Sequence, residues 1–231
     1  MGVIKLMTYL FLKTFIIGPI LHVLFRPWST GSENVPKSGG AILASNHLSF
    51  SDSIFLPLKC SRPVTFLAKS DYFTGKGLKG LLTRWFFKAT GQIPIDRSGG
   101  KASEASLNTG LSILAKDLLL GIYPEGTRSP DGTLYRGRTG IARMVLEAQV
   151  PVVPVAMIDT QKVQRIGQTT PRVRRVGVVY GEALDFNRFA GMEGERAVLR
   201  SITDKIVYDM KYLGGQKYED VYATSKRNQV R

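Results

Sequence analysis

The stretch SNHLSFSD, residues 45–52, contains one of the two histidines of the chain, His47, followed five positions later by Asp52. A carboxylate in the first turn of a helix can reach back to an imidazole at the end of the preceding strand. It would accept the Nδ1 hydrogen, fix the tautomer and leave Nε2 as a base. The pair therefore predicts acid–base chemistry, and the alternative is a polar histidine in an ordinary turn.

No residue close to this pair is expected to act as a nucleophile. The sequence has no G-x-S-x-G stretch, and Ser45, Ser49 and Ser51 suit turn and helix-capping positions. Two histidines and the single cysteine, Cys60, are too few soft ligands for a zinc cluster, so no metal is expected. The attacking hydroxyl would therefore come from the substrate.

A second stretch, YPEGTRSPDG at residues 123–132, follows a strongly apolar run. Ligands usually bind at the loops that follow the strands of an α/β sheet. Gly126 would let the backbone approach a ligand closely, Thr127 offers a hydroxyl, and Arg128 has the planar guanidinium that suits phosphate. The alternative is an ion pair between Glu125 and Arg128 that holds the loop.

Two further cations follow short β-type runs. Arg97 in GQIPIDR and Lys69 in FLAKSDYF could add to a phosphate site, and an exposed surface position is the alternative for each. The run VPVVPVAM, residues 150–157, predicts a buried strand. Pro151 and Pro154 favour an edge position or an irregular wall for that strand, because proline cannot donate to a sheet ladder.

The elements that would position these residues alternate short apolar runs with longer helical periodicities, which is typical of an α/β domain. We predict strands near residues 41–45, 64–68, 92–96, 118–123, 152–157 and 175–181. We predict helices over residues 51–59, 77–89, 101–116, 139–149 and 194–213. The expected fold is one α/β domain over residues 29–213, with a mixed, largely parallel central sheet flanked by helices. The polar tail, residues 214–231, is expected to be loose.

Residues 7–25 are almost continuously apolar, with Lys13 as their one formal charge. The run is borderline in length for crossing a bilayer, and the central lysine argues against crossing. We therefore expect residues 1–28 to form a membrane-docking apolar helix that lies in the interface, with a spanning helix as the alternative. Lys13 would extend to the head groups, and Thr14, Gly18 and His22 would face the protein.

The formal net charge of +14 on 231 residues predicts an anionic partner: nucleic acid, lipid head groups or a phosphorylated substrate. Nucleic-acid binding is not expected, because the sequence shows neither a reading helix nor basic residues interleaved with aromatics. A membrane surface and a phosphorylated substrate remain.

Taken together and in this order, the four stretches NHLSFSD, GQIPIDR, YPEGTRS and VPVVPVAM resemble the sequence blocks of the glycerolipid acyltransferase family, specifically the 1-acyl-sn-glycerol-3-phosphate acyltransferases. The similarity covers residues 45–160. Tyr123 stands where that family often has phenylalanine. The N-terminal apolar segment also resembles the membrane-docking helices of the family.

The resemblance implies acyl transfer from a thioester, acyl-CoA or acyl carrier protein, to the sn-2 hydroxyl of lysophosphatidic acid, with phosphatidic acid as product. No bound cofactor is implied. His47 would be the base and Asp52 its partner, at the cytoplasmic face of a membrane. The implied phosphate site comprises Arg97, Glu125, Gly126, Thr127 and Arg128, with Lys69 in addition. The alternatives are a thioesterase or lipase, an enzyme for the sn-1 position or another lysolipid, and a non-enzymatic basic protein.

Overall fold

The computed structural model describes residues 3–95, 102–168 and 170–229. Within these residues, seven strands form one sheet and two short strands form a second. The strands are β1 (Trp28–Thr30), β2 (Ala41–Ser45), β3 (Val64–Lys69), β4 (Ile93–Ile95), β5 (Leu119–Ile122), β6 (Leu134–Tyr135), β7 (Val152–Ile158), β8 (Gly177–Tyr180) and β9 (Tyr218–Glu219).

Helices cover both faces of the sheet. The α-helices are α1 (Val3–Phe11), α2 (Ile17–Phe25), α3 (Asp52–Lys59), α4 (Asp71–Thr74), α5 (Gly77–Ala89), α6 (Ala102–Leu114), α7 (Gly140–Ala148), α8 (Thr160–Val163), α9 (Arg196–Gly214) and α10 (Ala223–Gln229). A π-helical turn (Leu12–Ile16) joins α1 to α2, and two 3₁₀ turns cover Ser32–Asn34 and Asn187–Phe189.

The seven-stranded sheet has the order β1-β8-β7-β2-β5-β3-β4. All its neighbouring strands run parallel except β7 and β8, which are antiparallel. Every residue of β2 is buried, because this central strand is covered on both faces, as is usual for parallel sheets. The predicted class, a mixed and largely parallel sheet flanked by helices, is confirmed.

Alternate residues of β2 enter two separate hydrophobic clusters. Ala41 and Leu43 pack with α3 and with Phe25 at the end of α2. Ile42 and Ala44 face the opposite way and pack with α6, α7 and α9. The strand is thereby fixed from both sides, and the loop that follows it starts from a rigid position.

The prediction of an edge position for residues 150–157 is wrong, since β7 lies between β8 and β2. Pro154 is tolerated because it sits where regular pairing with β8 stops. Its carbonyl still accepts the Gly181 N–H at 2.8 Å, and pairing resumes as an isolated bridge between Val152 and Leu184. The chain between Gly181 and Leu184 bulges past the proline, so no ladder donor is missing.

The N-terminal helix is continuous but changes hydrogen-bond pattern near its middle. Pro19 has no N–H to donate and its ring crowds the preceding turn, which explains a π-helical turn at Leu12–Ile16 directly upstream. A Cβ on Gly18 would come within 1.9 Å of the Lys13 carbonyl oxygen, so this wider turn needs glycine there.

The face of this helix that meets the protein differs from the predicted one. Thr14 and His22 are exposed, and Gly18 is the one member of the expected stripe that is buried. Lys13 does not extend outward: its Nζ donates to the Cys60 carbonyl at 2.5 Å. An ammonium without a partner in an apolar groove would be costly, and this carbonyl supplies the partner.

The expectation of a loose tail is also wrong. Tyr218–Glu219 pairs in parallel with Leu134–Tyr135, and the side chain of Ala223 is fully buried. The composition of the tail indicates disorder because the segment is polar and has no apolar stripe. Hydrogen bonds hold much of the segment in place, and they leave no such pattern in the sequence.

Candidate active site

Five parallel strands, β2, β3, β4, β5 and β7, end at the same edge of the sheet. His47 lies two residues beyond β2, and Tyr123 directly follows β5. Ser129 donates its N–H to the His47 carbonyl at 2.7 Å, so the loops after β2 and β5 touch. The structure thus brings the SNHLSFSD and YPEGTRS stretches together at the edge where α/β sheets bind ligands.

The imidazole of His47 is held by the carboxylate of Asp52. The Nδ1 to Oδ2 distance is 2.9 Å, and the Asp52 side chain is fully buried whereas that of His47 is 18% exposed. The same Oδ2 accepts the backbone N–H groups of Leu48 (2.7 Å) and Ser49 (2.8 Å). Asp52 is the first residue of α3, where the helix dipole favours negative charge. With Nδ1 occupied, Nε2 is the nitrogen left for a substrate.

Tyr123 fixes the ring plane of the histidine. The two rings stack in parallel, with centroids 3.8 Å apart and 8° between planes, and Phe66 stacks behind Tyr123 at 5.4 Å. The Tyr123 hydroxyl shares a 2.8 Å hydrogen bond with Ser53. Burial, with a contribution from Asp52, raises the pKa of Tyr123, so the phenol stays neutral. Sequence reasoning missed this role, although Tyr123 follows the strand adjacent to β2.

Glu125 does not form the ion pair with Arg128 that is the alternative interpretation of this loop. Its side chain is buried, and both oxygens accept backbone N–H groups: Oε2 from His47 and Oε1 from Tyr135, each at 3.0 Å. Burial raises the pKa of Glu125 to about 8, against the opposing effect of these two hydrogen bonds. In this geometry Glu125 clamps the histidine loop to β6, and it presents no oxygen to a phosphate.

Gly126, Thr127 and Arg128 form the turn beside His47. Gly126 has φ of +74°, a left-handed conformation that favours glycine, and its N–H donates to the Tyr123 carbonyl at 3.0 Å. Gly126 is exposed, and Thr127 and Arg128 are half-buried. Among the described residues Arg128 forms no ion pair, so its guanidinium is available to an anion.

The other two predicted cations are only partly covered. Lys69 is the last residue of β3 and pairs with Ile95 of β4, which puts its backbone at the same sheet edge. The side chain of Lys69 and the whole of Arg97 lie outside the described residues. Their proposed contacts with phosphate stay predictions.

Asn46, the residue before His47, is held by hydrogen bonds to Met157 and Gln216. The Asn46 amide bonds both backbone groups of Met157 in β7, with Oδ1 accepting at 2.6 Å and Nδ2 donating at 3.1 Å. Its Nδ2 also donates to Gln216 Oε1 at 2.5 Å, and Gln216 Nε2 donates to the Gly132 carbonyl. The C-terminal segment therefore contacts the residue that precedes His47.

These features define a class of site: a histidine held by a buried carboxylate, beside a turn whose guanidinium makes no ion pair with any described residue. Such a site can remove a proton from a hydroxyl group of a molecule that also carries an anionic group.

The comparisons agree with that class. The acyltransferase family model matches residues 26–158, more than half of the chain, and the chain therefore belongs to the acyltransferase family. A 1-acyl-sn-glycerol-3-phosphate acyltransferase from Arabidopsis thaliana, LPAT1 of the chloroplast, is 30% identical over 59% of this chain and 37% of its own length. The 1-acyl-sn-glycerol-3-phosphate acyltransferase of Bacillus subtilis is 27% identical over 75% of this chain and 83% of its own length.

The chain spans half or less of the length of the first curated relatives it matches, 37% to 50%. Among solved structures, the 1-acyl-sn-glycerophosphate acyltransferase PlsC from Thermotoga maritima matches with a TM-score of 0.63. That match covers 86% of this chain and 81% of the other at 23% identity, and it shows a shared fold.

Proposed function

We propose that this protein transfers a fatty acyl group from a thioester donor to the sn-2 hydroxyl of lysophosphatidic acid, forming phosphatidic acid. The observation that carries the proposal is the 2.9 Å hydrogen bond from His47 Nδ1 to Asp52 at the edge of the sheet, with the Gly126–Arg128 turn against the same loop. The relatives named as 1-acyl-sn-glycerol-3-phosphate acyltransferases support this acceptor.

In the proposed reaction, His47 Nε2 removes the hydroxyl proton as the acceptor oxygen attacks the thioester carbonyl. The new ester C–O bond forms, the C–S bond breaks, and the imidazolium returns the proton to the departing thiolate. Asp52 stabilises the imidazolium through Nδ1. A thioester is already activated, so positioning and one base suffice, with no covalent acyl-enzyme.

The acceptor phosphate would bind at the turn after β5. Arg128 supplies a guanidinium, Gly126 leaves room for close approach, and Thr127 offers its hydroxyl. Lys69 and Arg97 are proposed as additional ligands, because Lys69 ends β3 and Arg97 follows β4 in the sequence, and both strands end at this edge. The role inferred for Glu125 is support for His47, in place of phosphate binding.

The N-terminal segment is proposed to hold the enzyme on the cytoplasmic face of a membrane. Residues Leu6–Phe25 form a helix long and apolar enough to cross a bilayer, with mean hydropathy 1.6 and only 22% of the window buried. Phe15 and Val23 are 69% and 75% exposed. Because Lys13 and Gly18 contact the protein, one side of the helix is held against the domain, which favours lying in the interface.

The proposal is tested by incubating the purified chain in phosphatidylglycerol vesicles with labelled acyl-CoA or acyl carrier protein, and with lysophosphatidic acid or glycerol 3-phosphate. We expect phosphatidic acid only when lysophosphatidic acid is present, and release of the labelled chain by a phospholipase specific for the sn-2 ester. Fatty acid released at equal rates with and without the lysolipid would indicate a thioesterase and refute the proposal.

A further inference from the structure

A second guanidinium, that of Arg138, lies over the turn assigned above to the acceptor phosphate. Its backbone N–H donates to the Pro124 carbonyl at 2.8 Å, which fixes the residue beside the loop after β5. Its Nε is 3.0 Å from the position that a Cβ on Gly126 would occupy. The absence of a side chain at Gly126 therefore lets the Arg138 guanidinium lie against this turn.

Arg138 differs from the nearby arginines in having no acidic partner among the residues that the structure describes. Arg136 pairs with Asp220 at 3.5 Å, and Arg143 pairs with Glu147 at 2.5 Å. Over the described part of the chain, no carboxylate lies within ion-pair distance of Arg138, although its side chain is exposed. Within the described ranges, Arg138 and Arg128 therefore place two guanidinium groups without carboxylate partners at the same turn.

The C-terminal segment holds the Arg138 guanidinium in place. Its Cζ lies 5.3 Å from the centroid of the Tyr222 ring, and Nη2 donates to the Thr224 hydroxyl at 3.4 Å. Ala223, between these two residues, is fully buried and anchors the segment. A guanidinium has five N–H donors in one plane, so stacking on a ring and one hydrogen bond leave the remaining donors free.

We propose that Arg138 is a further ligand of the acceptor phosphate, held in position by Tyr222. The inference rests on the proposed function, and it assigns to residues 215–229, beyond the matched family region, a part in recognising the acceptor. A phosphate monoester carries nearly two charges and three acceptor oxygens. Guanidinium groups on either side of Gly126 can each donate to it, whereas a lysolipid or glyceride without the monoester would gain nothing from Arg138.

The test compares acylation of lysophosphatidic acid with acylation of a monoacylglycerol, which has the same hydroxyl and chain but no phosphate. We expect Arg138→Gln to lower the ratio of kcat/KM for lysophosphatidic acid to kcat/KM for the monoacylglycerol by about 10- to 100-fold. This is the effect of losing a hydrogen bond to a charged group. Most of the change should appear in the KM for lysophosphatidic acid. Arg138→Lys should lower this ratio by a smaller factor, and the matched control Arg143→Gln should leave the ratio unchanged.

Tyr222→Leu separates positioning from general stability, since it should lower the same ratio while far-UV circular dichroism stays that of the wild type. An equal fall in kcat/KM with both acceptors would mean that Arg138 is merely structural and would overturn the inference.

Titration with inorganic phosphate, followed by thermal shift, provides a readout independent of acyl transfer. If wild-type and Arg138→Gln proteins are stabilised equally by phosphate, the inference is wrong even where the proposed function holds. An inactive wild type that binds phosphate through Arg138 would refute only the proposed function.

Discussion

Replacing Glu125 by glutamine should damage the protein although the two side chains have the same shape. Two backbone N–H groups, from His47 and Tyr135, point at the two carboxyl oxygens, each at 3.0 Å. An amide has one oxygen to accept and one NH₂ that donates. In either orientation, one N–H group would therefore meet another donor in a buried site.

The cost follows from leaving a buried donor unsatisfied, about 1–3 kcal/mol of unfolding free energy. For a chain of this length that corresponds to a fall in Tm of about 2–12 °C. Turnover should fall as well, because one of the two bonds locates the backbone of His47. Denaturant unfolding and acyl-transfer rates of detergent-solubilised protein measure both effects.

Glu147→Gln is the matched control, since Glu147 makes a helical i,i+4 pair with Arg143. A pair of this kind is worth about 0.3–0.5 kcal/mol, and its loss should leave turnover unchanged. Stability and turnover in Glu125→Gln equal to those of this control would refute the clamp assigned to Glu125.

The effect should also depend on pH. The pKa of Glu125 is raised from 4.5 to about 8, so between these values the folded protein holds a proton that the unfolded chain has lost. The stabilising contribution of this carboxyl to the free energy of unfolding is therefore fully present below pH 4.5, and it is lost as the pH rises through about 8. Glutamine does not titrate, so the difference in unfolding free energy between wild type and Glu125→Gln should narrow over that interval. A difference that widens towards pH 8 would contradict the assigned direction.

Three further changes test separate parts of the account. Asp52→Asn should lower turnover by about 10²–10⁴-fold, because the amide cannot stabilise the imidazolium, while circular dichroism stays unchanged. Tyr123→Phe keeps the stacked ring and loses only the bond to Ser53, costing about 0.5–1.5 kcal/mol of stability with turnover retained, whereas Tyr123→Leu should lose turnover too. Charging the exposed helix face with Phe15→Glu and Val23→Glu should abolish sedimentation with anionic vesicles; unchanged sedimentation would remove the basis for membrane docking.

The regular elements could be predicted because their patterns are local. The predicted strand at 41–45 matches β2, Ala41–Ser45, and the predicted helix at 77–89 matches α5, Gly77–Ala89. The ends of the predicted strands also indicate the site, because the loop stretches NHLSFSD and YPEGTRS follow strands that end at the same edge of the sheet. Alternation and helical periodicity extend over several neighbouring residues, so both patterns can be recognised without knowing which elements pack against each other.

Contacts between distant segments could not be predicted in the same way. The hydrogen bond from Asn46 to Gln216 joins residues 170 positions apart, and no local periodicity marks either one. Pro154 suggested an edge strand because the bulge that accommodates it lies on another segment, after Gly181. The contacts of Glu125 could not be predicted for a related reason: its partners are backbone groups, which every residue has and no sequence pattern distinguishes.

The measurement that tests the central claim most directly is the rate of phosphatidic acid formation by wild-type, His47→Ala and His22→Ala proteins. His22 is the control because it is the other histidine of the sequence, and its Nδ1 contacts the Gly18 carbonyl one turn away, at 2.8 Å. Loss of the base should lower the rate by about 10²–10⁴-fold in His47→Ala, with far-UV circular dichroism unchanged and His22→Ala equal to the wild type. Formation of phosphatidic acid by folded His47→Ala at the wild-type rate would contradict the account.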